Sequence, residues 1–343
     1  MSGTEGPGAG VPEGLSRETF ARFAEPHRNE LKLHCYRMLG SLQDAEDAVQ
    51  ETFFKAWSAL DEFEGRALFK NWLYRIATNA CLNALASRSR RSRLLPRHLA
   101  GPSSEMPQGQ PDTEVPWLEP YPDFELERIS DPTAGPERRY EMREAVRLAF
   151  MAAIQQLPPR QRAALILADV IGWSTAEIVS LLGGSAASAN SMLQRARETM
   201  RRNYRSESAV PGSTDRADRQ LLLDRYVRAW ESTDLDAFVK LLKEDATYSM
   251  PPWRQWYRGR AAIRLFFGEV WQAYGGFRLV PVGANGQPAF ALYSRAWAGG
   301  GWNAHSLQVL SMHGDTIAGL TMFMKPLVLR LFPAFQQPLM LEE

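Results

Sequence analysis

The sequence predicts a multidomain protein: two all-α domains, the second carrying a helix-turn-helix, then an α+β domain with helices on one face of a curved antiparallel sheet. Three observations carry this prediction. Apolar residues recur at three- and four-residue steps through residues 15–93 and again through 137–205. A proline-dense stretch, 94–136, separates these two parts. After a polar break at Ser206 to Thr214 the texture changes to short helices, followed by strand-like runs divided by turn signals.

Composition narrows the classes. The 343 residues are 45% hydrophobic and 23% charged, with a formal net charge of +1, which fits globular domains and excludes an overall polycation. Positive charge is local, in Ser87-Arg88-Ser89-Arg90-Arg91-Ser92-Arg93 and from Arg195 to Arg205. Such clusters attract phosphate backbones. The only cysteines, Cys35 and Cys81, sit in apolar helical patterns and read as buried free thiols of a reducing compartment, with no metal-site spacing. No apolar run reaches membrane-helix length, and the Gly/Pro/Glu-rich N-terminus is unlike a signal peptide, so a cytoplasmic protein is expected.

In chain order, residues 1–14 are expected to be disordered. Leu42, Ala45, Val49, Phe53, Ala56 and Leu60 mark one apolar helix face, opposite the polar Asp44, Glu46, Asp47, Gln50 and Glu51. A second amphipathic helix spans about Phe69 to Ala86, with Trp72, Leu73, Ile76 and Leu82. Within the proline-rich linker one segment, Val115-Pro116-Trp117-Leu118-Glu119-Pro120-Tyr121-Pro122-Asp123, is unusually apolar; Trp117, Leu118 and Tyr121 are expected to dock on a folded surface. Helices resume from Pro136 to Tyr204. Leu157-Pro158-Pro159-Arg160-Gln161-Arg162 ends one helix and starts the next. A short helix, Thr175 to Leu182, stops at Gly183-Gly184; Ser185 or Ser188 caps its successor, which packs through Met192, Leu193 and Ala196. Asn190, Ser191, Gln194, Arg195 and Arg197 are left as groups suited to base edges and phosphates. Alone, that pattern also fits an antiparallel helix pair with a solvated basic face.

The last part begins with helices at Gln220 to Ser232, near Leu235 to Leu242 and from Ala261 to Tyr274. Strand-like runs follow at Phe277 to Val282, Ala289 to Trp297, Trp302 to Met312 and Thr316 to Met324, separated by Asn285-Gly286, Gly299-Gly300-Gly301 and His313-Gly314-Asp315. The apolar tail from Lys325 to Pro333 reads equally as a docking segment or as a cap on its own domain.

The segment LGSLQDAEDAVQETFFKAW (39–57), then FKNWLYRIATNACLN (69–83) and the basic run, resembles region 2 of bacterial sigma factors of the extracytoplasmic-function group. The helix-turn-helix, with its LPPRQR lead-in and QRAR, resembles region 4 of the same group. The resemblance implies sigma region 2 over 15–93, region 4 over 137–205, and two partners, core RNA polymerase and promoter DNA. It assigns polymerase contacts to Asp44, Asp47, Gln50, Glu51 and Phe54. It assigns melting and capture of the downstream element to Phe69, Trp72 and Asn79, with Arg88, Arg90, Arg91 and Arg93 on phosphates. Asn190, Ser191, Gln194, Arg195 and Arg197 would face the upstream element; Asn190 and Met192 stand where basic residues are common.

Residues 216–335 resemble the SnoaL-like cone shared with ketosteroid isomerase and nuclear transport factor 2, and WLEPYP looks like a variant of a linker motif that accompanies it. Two roles compete. Tyr248, Trp253, Trp256, Phe267, Tyr293, Trp297, His305, Gln308 and His313 offer aromatic and polar groups for a ligand cone, but Asp245 and Asp315 look solvent-facing and poor for acid–base work. Alternatively the domain is an in-chain regulator contacting the sigma domains or linker, with a small ligand left open. No catalytic residue, cofactor or metal is expected. The runner-up readings are a ligand-responsive DNA-binding regulator that never joins polymerase, and a sigma–enzyme fusion with a cyclase or isomerase.

Overall fold

The computed structural model describes residues 15–65, 68–87, 93–129, 141–204, 216–298 and 300–342. The expected disorder of 1–14, the basic residues Arg88, Arg90 and Arg91, and linker positions 130–136 lie outside them. The chain forms two compact units, one of residues 1–93 with 125–204 and the other of 94–124 with 205–343.

The first unit is helical. Helices α1 (Phe20–Ala24), α2 (Arg28–Leu39), α3 (Leu42–Ser58) and α4 (Phe69–Ala86) form its first half. Ser41 accepts the Asp44 N–H at the start of α3, and Gly40 ends α2 in the left-handed region. Leu31, Cys35, Ala45, Val49, Leu73, Ala77 and Cys81 are buried where these helices meet. A short helix, α5 (Asp123–Glu127), comes next along the chain. Then come α6 (Leu148–Ile154), α7 (Pro159–Leu165), α8 (Thr175–Leu182) and α9 (Ala186–Asn203). Pro159 occupies the first turn of α7, where its missing N–H costs nothing. A wide helical turn (Ile166–Ile171) extends α7 as far as Gly172.

The second unit opens with the linker and then α10 (Arg216–Glu231), α11 (Leu235–Lys240), β1 (Leu242–Ser249), β2 (Trp256–Arg258) and α12 (Arg260–Val270). Strands β3 (Gly276–Ala284), β4 (Gln287–Arg295), β5 (Trp302–His313) and β6 (Thr316–Met324) complete the meander, α13 (Val328–Ala334) follows, and β7 (Met340–Leu341) pairs with β5. The strand order is β2-β1-β6-β5-β4-β3. Every pairing is antiparallel except β1 with β6, so the sheet is mixed. The helix expected near Leu235 to Leu242 ends at Lys240, and Leu242 opens a strand: Ala246, Tyr248 and Met250 alternate into the core while Glu244 and Asp245 are exposed.

The core of this unit is aromatic. Trp230 lies within 5.7 Å, centroid to centroid, of Phe238, Phe267, Trp271 and Phe277. The tail helix α13 covers its own sheet: Val328, Leu331 and Phe332 are buried, and Phe332 meets Tyr293 edge-on. Tyr293 also donates to the Pro338 carbonyl, at 2.9 Å.

Candidate nucleic-acid interface

The outward face of α3 presents Gln50, Glu51 and Phe54, and Phe54 is 70% exposed. A large apolar ring held out in water on a helix whose other face is packed suits a partner surface. Asp47 accepts from Gln43, and Glu51 pairs with Lys55 one turn on. Asp44 differs from its neighbours: Arg93 donates to it at 2.7 Å, with both side chains mostly covered. A carboxylate expected to meet polymerase and a cation expected to meet phosphate thus engage each other.

On α4, Phe69 is buried among Phe20, Phe63 and Trp72. Trp72 is half-buried with its ring 4.8 Å from that of Phe63, and Asn79 is exposed. Trp72 and Asn79, seven residues apart, lie on one helix face, while Phe69 packs in the hydrophobic interior. The neighbouring face of α4 meets the helix-turn-helix. Asn71 donates to Glu177 at 3.3 Å, and Arg75 donates to the Ser180 hydroxyl at 2.9 Å and carbonyl at 3.3 Å. Sequence reasoning missed Asn71 and Arg75, because nothing local distinguishes them from solvated helix residues.

The helix-turn-helix is built from its caps. Ser174 accepts from the Glu177 N–H while Glu177 reaches back to the Ser174 N–H, and Ser185 with Ser188 repeats the arrangement at the start of α9. Ala189, Leu193, Ala196 and Met200 form the buried stripe of α9. Asn190, Ser191, Gln194 and Arg195 are exposed together on the other side. Arg197 is also exposed but is held by Asp169 through two bonds of 2.6 and 3.0 Å. That fork fixes its guanidinium near the turn after α7 and leaves Arg195 as the less constrained cation.

In the second unit the linker lies on the folded domain. Trp117, Leu118 and Tyr121 are buried. Tyr121 and Asn285 exchange two bonds: the Tyr121 N–H donates to the Asn285 side chain at 2.9 Å, and the Asn285 N–H donates to the Tyr121 carbonyl at 2.8 Å. Asn285 takes a positive φ of 57° at the β3–β4 turn, a conformation that asparagine tolerates better than most residues. Asp123 accepts from the Gly286 N–H at 2.7 Å and lies against Gly283, where a β-carbon would come within 2.6 Å of its carboxylate. Asp112 pairs with Arg254, and the buried Glu119 pairs with Arg330 of α13.

The residues expected to line a ligand cone go to different neighbourhoods. Tyr248 is buried and stacks on Tyr257, whose hydroxyl donates to the Glu105 carbonyl of the linker. Trp253 packs partly buried at the edge of the aromatic core, and the Trp256 indole donates to the Ala100 carbonyl. Gln308 is buried and accepts from Tyr226 at 2.6 Å. His305 is within 3.1 Å of the Tyr274 hydroxyl, and burial pushes its pKa down to about 4, so it is neutral at ordinary pH. Tyr293 is tied to the tail, while Trp297 is 72% exposed. Asp245 and Asp315 are exposed. Among the described residues no cluster of His, Cys, Asp or Glu is arranged to hold a metal, and no helix is long and apolar enough to cross a membrane.

Three family descriptions match parts of this chain: Sigma-70 region 2 over residues 23–91, Sigma-70 region 4 over 147–200, and the SnoaL-like domain over 223–319. The chain is 43% identical over 334 residues to the ECF RNA polymerase sigma factor SigG of Mycobacterium tuberculosis, covering 95% of this chain and 86% of that protein. The chain belongs to the ECF RNA polymerase sigma factors. It is also 32% identical over 164 residues to the RNA polymerase sigma-H factor of Pseudomonas aeruginosa, covering 48% of this chain and 75% of that protein. The crystal structure of the Mycobacterium tuberculosis extracytoplasmic function sigma factor SigJ has the same fold: TM-score 0.58 at 21% identity, covering 93% of this chain and 99% of that one. As an ECF sigma factor, the chain directs core RNA polymerase to promoters.

Proposed function

We propose that this sigma factor is regulated by its own C-terminal SnoaL-like domain, acting through the linker between its two promoter-binding regions. One observation carries the proposal: residues 94–124, which join region 2 to region 4 along the chain, pack as part of the C-terminal unit. The Tyr121–Asn285 exchange, the Asp112–Arg254 pair and the Glu119–Arg330 pair tie the linker to that unit. A domain that grips the linker sets how far regions 2 and 4 can separate.

Within this reading Gln50, Glu51, Phe54 and Asp47 meet polymerase. Trp72 and Asn79 work on the melted downstream element, with Arg88, Arg90 and Arg91 on phosphates. Asn190, Ser191, Gln194 and Arg195 face the upstream element. Phe69 supports Trp72 from inside, and Asp44, Arg93 and Arg197 act after their ion pairs exchange partners. The C-terminal domain is a regulator and no catalyst: its carboxylates at 245 and 315 face water and its interior is packed with rings. The site of action is the cytoplasm.

The experiment is in vitro transcription with core polymerase, comparing the full chain with residues 1–205. The proposal expects transcript yield to differ at equal promoter binding; equal yields would remove the regulatory role. A second reading, that the C-terminal domain also binds a small ligand, is favoured by the buried Trp271 indole N–H, which finds no acceptor among the described residues. A metabolite screen by thermal shift on the full chain tests it.

A further inference from the structure

Arg162 is completely buried, although it belongs to the LPPRQR lead-in of region 4. Its guanidinium donates to the Gln155 side-chain oxygen at 2.7 Å, the Gln155 carbonyl at 2.7 Å and the Leu157 carbonyl at 3.2 Å. It also donates to the Met38 carbonyl of region 2. Every one of these acceptors is neutral. Burial lowers the pKa only to about 10, so the group stays charged.

Met38 lies in the last turn of α2, where carbonyls have no donor from their own helix and carry the negative end of the helix dipole. The carbonyl beside it, that of Arg37, accepts from the Gln155 side-chain amide at 3.0 Å. Arg37 returns the contact by donating to the Ala145 carbonyl at 3.1 Å. Region 4 therefore caps the C-terminal end of a region 2 helix with one cation and one amide. The contacts of Asn71 and Arg75 with α8 are a second, more exposed set. All of these residues belong to the first unit.

We infer that Arg162, with Gln155, is the positioning pair that docks region 4 on the end of α2, and that the docking of the two regions is held by these side chains and not by the C-terminal unit. Separating the regions strips the Arg37 and Met38 carbonyls of their donors, while Arg162 keeps its partners inside region 4. The pair acts as a latch that polymerase must open, and the linker then limits how far the regions travel. The inference extends the sigma-factor reading, but its test needs neither polymerase nor DNA.

The test is resonance energy transfer in the full chain between dyes at Ser58→Cys on α3 and Glu198→Cys on α9, both exposed; the native Cys35 and Cys81 are buried. Arg162→Met should raise the open population about tenfold or more, since a hydrogen bond to a charged group is lost across the junction. Asn285→Ala, which loosens only the linker, should leave transfer unchanged. Unchanged transfer in a folded Arg162→Met chain, or opening by Asn285→Ala alone, overturns the inference. Should Arg162→Met lose helical circular dichroism, Gln155→Met decides: it removes the bond to Arg37, and unchanged transfer in that folded variant refutes the latch.

Discussion

Replacing Asn285 by alanine tests how the linker is held. The change deletes the acceptor of the Tyr121 N–H, which sits in a buried segment, and a buried donor left unsatisfied costs about 1–3 kcal/mol. It also puts alanine at φ 57°, where the left-handed conformation costs about 1–2 kcal/mol more. The combined loss is about 2–5 kcal/mol at the linker. Asn285→Gly separates the two terms, because glycine adopts that φ freely and loses only the acceptor. Hydrogen exchange of a peptide containing the Tyr121 amide reads the local opening free energy directly. Protection should fall by about thirty-fold or more in Asn285→Ala and by a smaller factor in Asn285→Gly. Protection unchanged in both would mean that this turn does not anchor the linker.

Three other outcomes follow from the geometry. His34 is buried and neutral, with its pKa pushed down to about 3 by burial, so the unfolded chain gains a proton below its ordinary 6.5 that the folded chain refuses. Stability should be full above pH 6.5 and fall toward pH 3, by about 2 kcal/mol for this one group at pH 5; urea titrations of wild type and His34→Gln should differ in that slope. Phe54→Ala should weaken binding to core polymerase in a pull-down while changing stability by under about 0.5 kcal/mol, because the ring is mostly in water. Trp230→Ala empties the centre of the aromatic core and should cost about 3–5 kcal/mol by denaturant unfolding.

Much of the first unit is legible in the sequence because its signals are local. Helical spacing and the helix-turn-helix glycines set α4 at Phe69–Ala86 and α8 at Thr175–Leu182, the spans expected from pattern alone. β1 was not legible. Leu241 and Leu242 complete a helical period, whereas the strand is stabilised by a parallel partner, β6, some seventy residues later. Arg162 stands in the sequence only as part of the LPPRQR lead-in, because the carbonyl of Met38 that receives it lies 124 residues away. The ligand-cone residues were recognisable as aromatic and polar, but alternation cannot say which of them meet across a curved sheet. Tyr248 and Trp256 fall beside the linker, and His305 beside Tyr274. Asp44 and Arg93 show the same limit: the family resemblance implied two different partners, and folding brings the two side chains together.

The most direct measurement is transcription of genomic DNA by core polymerase with and without the purified full chain, read by sequencing of transcript starts. The account predicts a one-to-one complex with core and a set of new starts sharing two upstream sequence elements, lost when Trp72 and Asn79 are both replaced by alanine. A chain that binds DNA but neither joins core polymerase nor creates new starts would contradict it.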